Sequence, residues 1–90
     1  MRIGKTIIRY TTHFARAFKK LNPELRDLLK TREAIFRENI FDSRLRTHPL
    51  RGELNGFYSF SITYKYRILF KIEKDGSATF INVGDHSIYD

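Results

Sequence analysis

The sequence predicts an α+β fold: an N-terminal strand, a two-helix hairpin and then an antiparallel three-stranded meander, with the helices packed on one face of a curved sheet. Two changes of pattern carry that reading. Apolar residues recur every three or four positions between residues 12 and 40, the spacing of a helix face, and from Phe57 onward they alternate, the spacing of a strand with one buried side. Both prolines, Pro23 and Pro49, stand where an element begins or a loop turns. No linker, repeat or low-complexity tract interrupts the 90 residues, so residues 1–90 read as a single domain.

Lys5-Thr6-Ile7-Ile8-Arg9-Tyr10 is rich in β-branched and aromatic residues and predicts the first strand. Thr11 or Thr12 can cap a helix over residues 12 to 21, with Phe14, Ala17, Phe18 and Leu21 on its apolar side and Arg16, Lys19 and Lys20 on the other. Asn22-Pro23-Glu24 combines a capping amide, a proline at the first helical position and an acid in the first turn. It starts a second helix that should run to about residue 40, with Leu25, Leu28, Leu29, Phe36 and Ile40 as its stripe and Glu33 four residues ahead of Arg37. Two amphipathic helices joined by a bend need an apolar surface to cover, and the C-terminal half supplies one. Tyr58, Phe60 and Ile62 alternate with Ser59, Ser61 and Thr63; after a turn near Tyr64-Lys65, Tyr66, Ile68, Phe70 and Ile72 alternate with Arg67, Leu69, Lys71 and Glu73. Lys74-Asp75-Gly76 turns the chain into a third strand from Ala78 to Val83, whose mixed alternation suits an interior position. If the apolar sets face the helices, Arg67 and Lys71 point to the opposite face beside Ser59 and Ser61.

Composition narrows the function. Seventeen Lys+Arg against ten Asp+Glu give a net charge of +7, with 41% apolar residues, so this is a folded basic protein rather than a disordered basic tail. Residues 1 to 46 hold twelve Lys/Arg against five Asp/Glu, whereas the remainder hold five of each. That surplus attracts polyanions, nucleic acid first and an anionic membrane surface second, although solvated helix faces are the plain alternative. The absence of cysteine excludes a disulfide scaffold, a thiolate nucleophile and sulfur-ligated zinc, and it fits a reducing cytoplasm. No apolar run approaches the roughly 18 residues of a membrane span, and Met1-Arg2-Ile3-Gly4-Lys5 lacks the apolar core of a leader. A soluble, cytoplasmic chain is the expectation.

Chemistry must then come from His, Arg, Lys, Tyr and carboxylates. His13, near the start of the first helix with no partner motif, reads as structural or solvent-exposed. His48 lies in the loop Thr47-His48-Pro49-Leu50-Arg51-Gly52, where proline restricts the residue before it and Gly52 permits a sharp turn, so the loop can aim His48 and Arg51 at a ligand. His86 follows the last strand in Gly84-Asp85-His86, three residues before Tyr89, and a strand-end imidazole equally well satisfies itself on backbone. The histidines do not share a helical turn and no carboxylate cluster accompanies them, which argues against a metal site. Gly52 and Gly56 fit no nucleotide-binding loop. Arg67 is the most informative residue: a permanent cation on the open face of a middle strand, suited to phosphate, or else a surface arginine pairing with Glu53 or Glu73.

Together, Leu45-Arg46-Thr47-His48-Pro49-Leu50-Arg51-Gly52, the strand Tyr66-Arg67-Ile68-Leu69-Phe70 and the ending Val83-Gly84-Asp85-His86-Ser87-Ile88-Tyr89 resemble the RelE/ParE toxin superfamily. The element order agrees along essentially the whole chain. Within the superfamily the chain is most similar to the histidine-bearing RelE-like, YoeB-like and YafQ-like messenger RNA interferases. The resemblance implies a toxin of a type II toxin–antitoxin pair, neutralised by an acidic antitoxin, that enters the ribosomal A site and cuts messenger RNA there without a cofactor or metal. In that chemistry the ribose 2′-OH attacks the adjacent phosphate, leaving a 2′,3′-cyclic phosphate and a 5′-OH, and an acid, a base and cations are needed. Arg67 matches the family's strand arginine and should stabilise the transition-state charge. His86 matches the histidine after the last strand as acid or base, and Tyr89 the C-terminal aromatic that stacks on or orients a base. His48 and Arg51 match loop positions that supply a second proton carrier and a phosphate contact.

The lysine pair of the founding RelE branch is not evident, so proton transfer rests on His48, His86 or a carboxylate such as Glu53 or Asp85. Lys71 on the open face and the helical cations Lys19, Lys20, Arg26 and Lys30, with Arg16 and Arg37, suit RNA contacts on this reading. Two alternatives stay open: the ParE branch inhibits DNA gyrase without cutting nucleic acid, and a noncatalytic nucleic-acid-binding domain would use the same charge.

Overall fold

The computed structural model describes residues 5–89; Met1 to Gly4, on which the reading of an absent leader chiefly rests, lie outside them. The chain order is β1 (Ile8–Tyr10), α1 (Thr12–Lys19), α2 (Pro23–Glu38), β2 (His48–Pro49), β3 (Tyr58–Ser61), β4 (Arg67–Ile72) and β5 (Ala78–Gly84), with 3₁₀ turns at Ser43–Leu45, Gly52–Leu54 and His86–Tyr89. The sheet order is β1-β5-β4-β3-β2. β1 runs parallel to β5, pairing Tyr10 with Phe80, and the other neighbours are antiparallel.

The expected helices are present and stop a little early. Thr11 accepts the Phe14 N–H at 3.0 Å and caps α1, and Asn22 accepts the Leu25 N–H at 2.9 Å and caps α2. The last turn of α1 tightens, Lys20 and Leu21 donating to the carbonyls three residues back, and α2 ends where Asn39 takes extended backbone. Phe36 of α2 is the hub of the core: its ring lies 4.9 Å from Phe60, 4.9 Å from Phe70 and 5.1 Å from Phe80, and all four are fully buried. Among the described residues no helix is long and apolar enough to cross a membrane.

Two features depart from the expected meander. His48–Pro49, read as loop, pairs with Ser59 and Tyr58 of β3 as a fifth strand. Proline is tolerated there because β2 is an edge strand and nothing beyond it needs the missing N–H. The mixed alternation of β5 has a physical cause: Leu69 pairs with Asn82 but Phe70 with Phe80, so Ile81 is an extra residue. This bulge shifts the register by one and puts Val83, not Asn82, on the core face with Ala78 and Phe80. The Ile81 carbonyl accepts the Thr11 hydroxyl at 3.0 Å, so the residue that caps α1 also fastens the bulge.

Candidate active site

Across the face turned away from the helices, His48, Ser59, Leu69 and Asn82 stand opposite one another on β2, β3, β4 and β5. Directly opposed residues share a face, so this row holds His48 about 10 Å, two strand spacings, from the backbone of β4. Arg67 follows the same face two residues from Leu69, about 7 Å along the strand, with Ser61 and Gly84 as its neighbours.

The open face is partly roofed. After β5 the chain turns back as the 3₁₀ turn His86–Tyr89, and the Tyr89 hydroxyl lies 2.6 Å from that of Ser59. Ser59 and Leu69 are therefore buried although they point away from the helical core. Gly84 permits this return: a Cβ there would stand 2.8 Å from Ile88 Cγ2. Asp85 accepts the Ser87 N–H at 3.0 Å and the Ser87 hydroxyl at 2.7 Å. The Ser87 hydrogen bonds hold its carboxyl below the usual carboxylate range, so Asp85 is a charged cap and a poor proton carrier near neutrality. His86 is exposed and stacks on Tyr89, ring centroids 6.4 Å apart.

His48 is held from the other side. The Thr47 hydroxyl donates to the Ile40 carbonyl at 2.6 Å, and His48 Nδ1 lies 3.0 Å from the Arg46 carbonyl. A carbonyl only accepts, so Nδ1 carries the proton and the neutral ring presents the Nε2 lone pair. Arg46 adopts left-handed backbone, φ 55°, to aim that carbonyl. Arg67 donates from Nε and Nη2 to the Tyr64 carbonyl at 3.3 and 3.1 Å, which orients the guanidinium and leaves further N–H groups unused.

The structure thus brings His48, Arg67, His86 and Tyr89 to one side of the sheet. Arg51, exposed ahead of the Gly52–Leu54 turn, has no side-chain partner among the described residues, and Gly52 makes its turn at φ 68°. Glu53 is exposed in the same turn. Lys71 sits 4.0 Å from Glu73, four residues along β4 from Arg67 and outside the group. The helical cations divide. Lys20, with Arg16, lines a groove whose far wall is the segment from Asn82 to Ile88, whereas Lys19 and Lys30 border an apolar groove between α1 and α2. Arg26 donates to the Lys19 and Leu21 carbonyls at 3.3 and 3.0 Å and closes the end of α1. No group of three or more His, Asp or Glu placed to hold a metal occurs among the described residues.

Sequence reasoning missed Lys65, which borders a shallow depression with His86 from the turn between β3 and β4. It also missed the arginines Arg32, Arg44 and Arg46, which meet Arg67 around one cavity. Only the fold joins these residues, and no spacing along the chain announces them.

No protein-family model and no curated protein matches the chain by sequence. Solved structures match it in fold. YafQ from E. coli strain BL21(DE3) superposes with a TM-score of 0.76 at 17% identity, covering 94% of this chain and 98% of that one. The YoeB/ParE toxin from Agrobacterium tumefaciens gives 0.76 at 14% identity over 90% and 99%. A chain of the toxin–antitoxin complex RelBE2 from Mycobacterium tuberculosis gives 0.68 at 26% identity over 93% and 100%. The superpositions span nearly the whole of each chain, and the fold of this one, two helices against a five-stranded mixed sheet, is that of the RelE/ParE toxin superfamily.

Proposed function

We propose that this protein is the toxin of a type II toxin–antitoxin pair and cuts messenger RNA on the ribosome. The observation that carries the reading is the return of the last 3₁₀ turn over the open face, which sets Tyr89 on Ser59, in the row that begins with His48, and stacks His86 on Tyr89.

The side chains support a balanced route. His48 Nε2 takes the proton of the ribose 2′-OH as that oxygen attacks the adjacent phosphorus. The bond from phosphorus to the 5′-oxygen breaks, and the departing oxygen takes a proton from the His86 imidazolium. A 2′,3′-cyclic phosphate and a 5′-OH result. The unused N–H groups of Arg67 meet the extra negative charge of the transition state, where a fixed guanidinium acts without reorganising. With its hydroxyl engaged by Ser59 and its ring by His86, Tyr89 is a positioning residue for the imidazole. Arg51 then offers a phosphate contact beside His48, and Arg16 and Lys20 extend the positive surface toward ribosomal RNA.

A toxin needs a neutralising partner, and the M. tuberculosis relative is part of a toxin–antitoxin complex. The groove between α1 and α2, with Phe14, Phe18 and Leu29 along it and Lys19 and Lys30 at its border, supports an acidic amphipathic antitoxin segment.

The test is primer extension on a defined messenger in a purified translation system, comparing wild type with His86→Ala and Arg67→Ala. Discrete breaks at A-site codons in the wild type and none in either variant are expected. Equal cleavage by all three removes the assigned site. Growth arrest without breaks moves the function to gyrase inhibition, read next in a supercoiling assay.

A further inference from the structure

Beside the candidate active site, where β2 ends and leaves the end of β3 unpaired on that side, a cavity of about 210 Å³ opens toward the Ser43–Leu45 turn. Four guanidiniums line it: Arg32 from α2, Arg44 and Arg46 from the 3₁₀ turn and its cap, and Arg67 from β4. Among the described residues no carboxylate lines it. Asp42 binds Arg44 through Nε at 3.0 Å and Nη2 at 2.9 Å. Among the described residues the other three have no carboxylate partner: Arg32 donates to the Arg44 carbonyl at 3.0 Å, Arg67 donates to the Tyr64 carbonyl, and Arg46 has no side-chain partner. Backbone carbonyls fix the direction of a guanidinium without cancelling its charge, which is the arrangement an anion site requires.

A second observation points the same way. Ser61 lines this cavity, is 7% exposed, and its hydroxyl is the buried side-chain polar atom without a hydrogen-bond partner among the described residues. Such a group costs stability in the free protein unless a ligand completes it. A planar carboxylate is satisfied by one guanidinium fork, whereas a tetrahedral phosphate accepts from several directions at once, matching arginines that arrive from three segments plus a hydroxyl. The cavity is also continuous with the catalytic groups, since Arg67 belongs to both and the Arg46 carbonyl holds His48.

We propose that this cavity binds an RNA phosphate flanking the one that is cut, with Ser61 donating the hydrogen bond it lacks in the free protein. The proposal rests on the ribonuclease reading and assigns the cations that hold the strand in register beside the reacting phosphate.

The test measures binding of a fluorescent 2′-O-methyl oligoribonucleotide, which has no free 2′-OH and is not cut, as a function of salt. Arg46→Asn, whose side chain tolerates left-handed backbone, should weaken binding about ten-fold and reduce the salt slope by about 0.7, the value for one single-strand phosphate contact. Ser61→Ala should weaken binding about five-fold with the slope unchanged while raising Tm by about 4 °C, a pair of effects that a purely structural serine does not give. Lys74→Gln, in the exposed hairpin turn, should change neither. The proposal is overturned if Arg46→Asn and Lys74→Gln behave alike, if Ser61→Ala binds as the wild type does, or if a glutamate-rich peptide binds more tightly than RNA in an Arg46-dependent way. Arg46-dependent binding without cleavage on ribosomes would sink the ribonuclease reading and leave the phosphate site standing; cleavage with binding unchanged in Arg46→Asn would sink the phosphate site alone.

Discussion

The hydroxyls of Tyr89 and Ser59 lie 2.6 Å apart, tying the last 3₁₀ turn to the third strand across thirty residues of sequence. Ser59 is fully buried beneath this turn, so its hydroxyl has no water to turn to if the Tyr89 hydroxyl is removed while the ring stays in place. The His86 ring stacks on Tyr89 from the same turn, so the hydroxyl pair anchors the segment that carries the imidazole.

Tyr89→Phe keeps the ring and strands the Ser59 hydroxyl, at an expected cost of about 1–3 kcal/mol. Adding Ser59→Ala removes the stranded group and should recover most of the loss. Thermal unfolding of the two single variants and the double variant measures the coupling, and additive losses would show the two hydroxyls to be independent.

Gly84→Ala should damage cleavage more than stability. Its Cβ would stand 2.8 Å from Cγ2 of Ile88, a β-branched side chain with little rotamer freedom, so the turn must move and carry His86 with it. A cleavage rate lower by about 10²-fold is expected from a displacement of roughly an ångström, with the fold retained by circular dichroism. Wild-type cleavage would mean that the turn accommodates the methyl group without moving the imidazole.

Thr11→Val removes two hydrogen bonds at once, the cap on the Phe14 N–H and the bond to the Ile81 carbonyl in the β5 bulge. A loss of about 2 kcal/mol is expected, compared with well under 1 kcal/mol for Thr11→Ser, which keeps the hydroxyl. Urea denaturation midpoints distinguish the two.

The Arg44 guanidinium lowers the Asp42 carboxyl from its usual value to about 2. A depressed acid stabilises the fold above its unfolded pKa and stops doing so as pH falls through its folded value, so this contribution is complete above about pH 4 and gone near pH 2. Asp42→Asn should be less stable than the wild type at pH 7, and the difference should close over that acid window. Tyr10 behaves in mirror image. Partial burial, helped by its hydrogen bond to Glu33, raises the half-exposed phenol to about 12, so its contribution is whole below about pH 10 and fades as pH climbs toward 12. Tyr10→Phe should remove that alkaline loss, followed by denaturation across pH 9 to 12.

Much of the architecture could be read from the sequence because burial sorts residues locally. The helical stripe through Leu28, Leu29, Phe36 and Ile40 and the alternation through Phe60 and Phe70 located both helices and the meander, since these residues face the same core. Pairing between distant segments left no comparable trace. Nothing local announces that β1 lies parallel to β5, that Ile81 is surplus to its ladder, or that His48–Pro49 adds an edge strand. Leu69 shows the limit most plainly: alternation places it correctly on the face away from the helices, yet it is buried because a turn from the end of the chain folds over it. Histidine and arginine candidates stood out by type and loop position, and alternation set Ser61 beside Arg67 on the open face, whereas Arg32 and Arg44 became notable only through where the fold collected them.

The position of Phe80 has a consequence for biosynthesis. Its ring meets Phe14, Phe36, Phe60 and Phe70, and its strand is the one that β1 pairs with, so β1 and both helices wait on a segment made well after them. Such long-range closure slows folding and leaves little to nucleate a core before β5 is available. A chain broken off ahead of Phe80 lacks both the keystone of its core and the turn that carries His86, so a truncated product has neither a closed core nor a roofed open face.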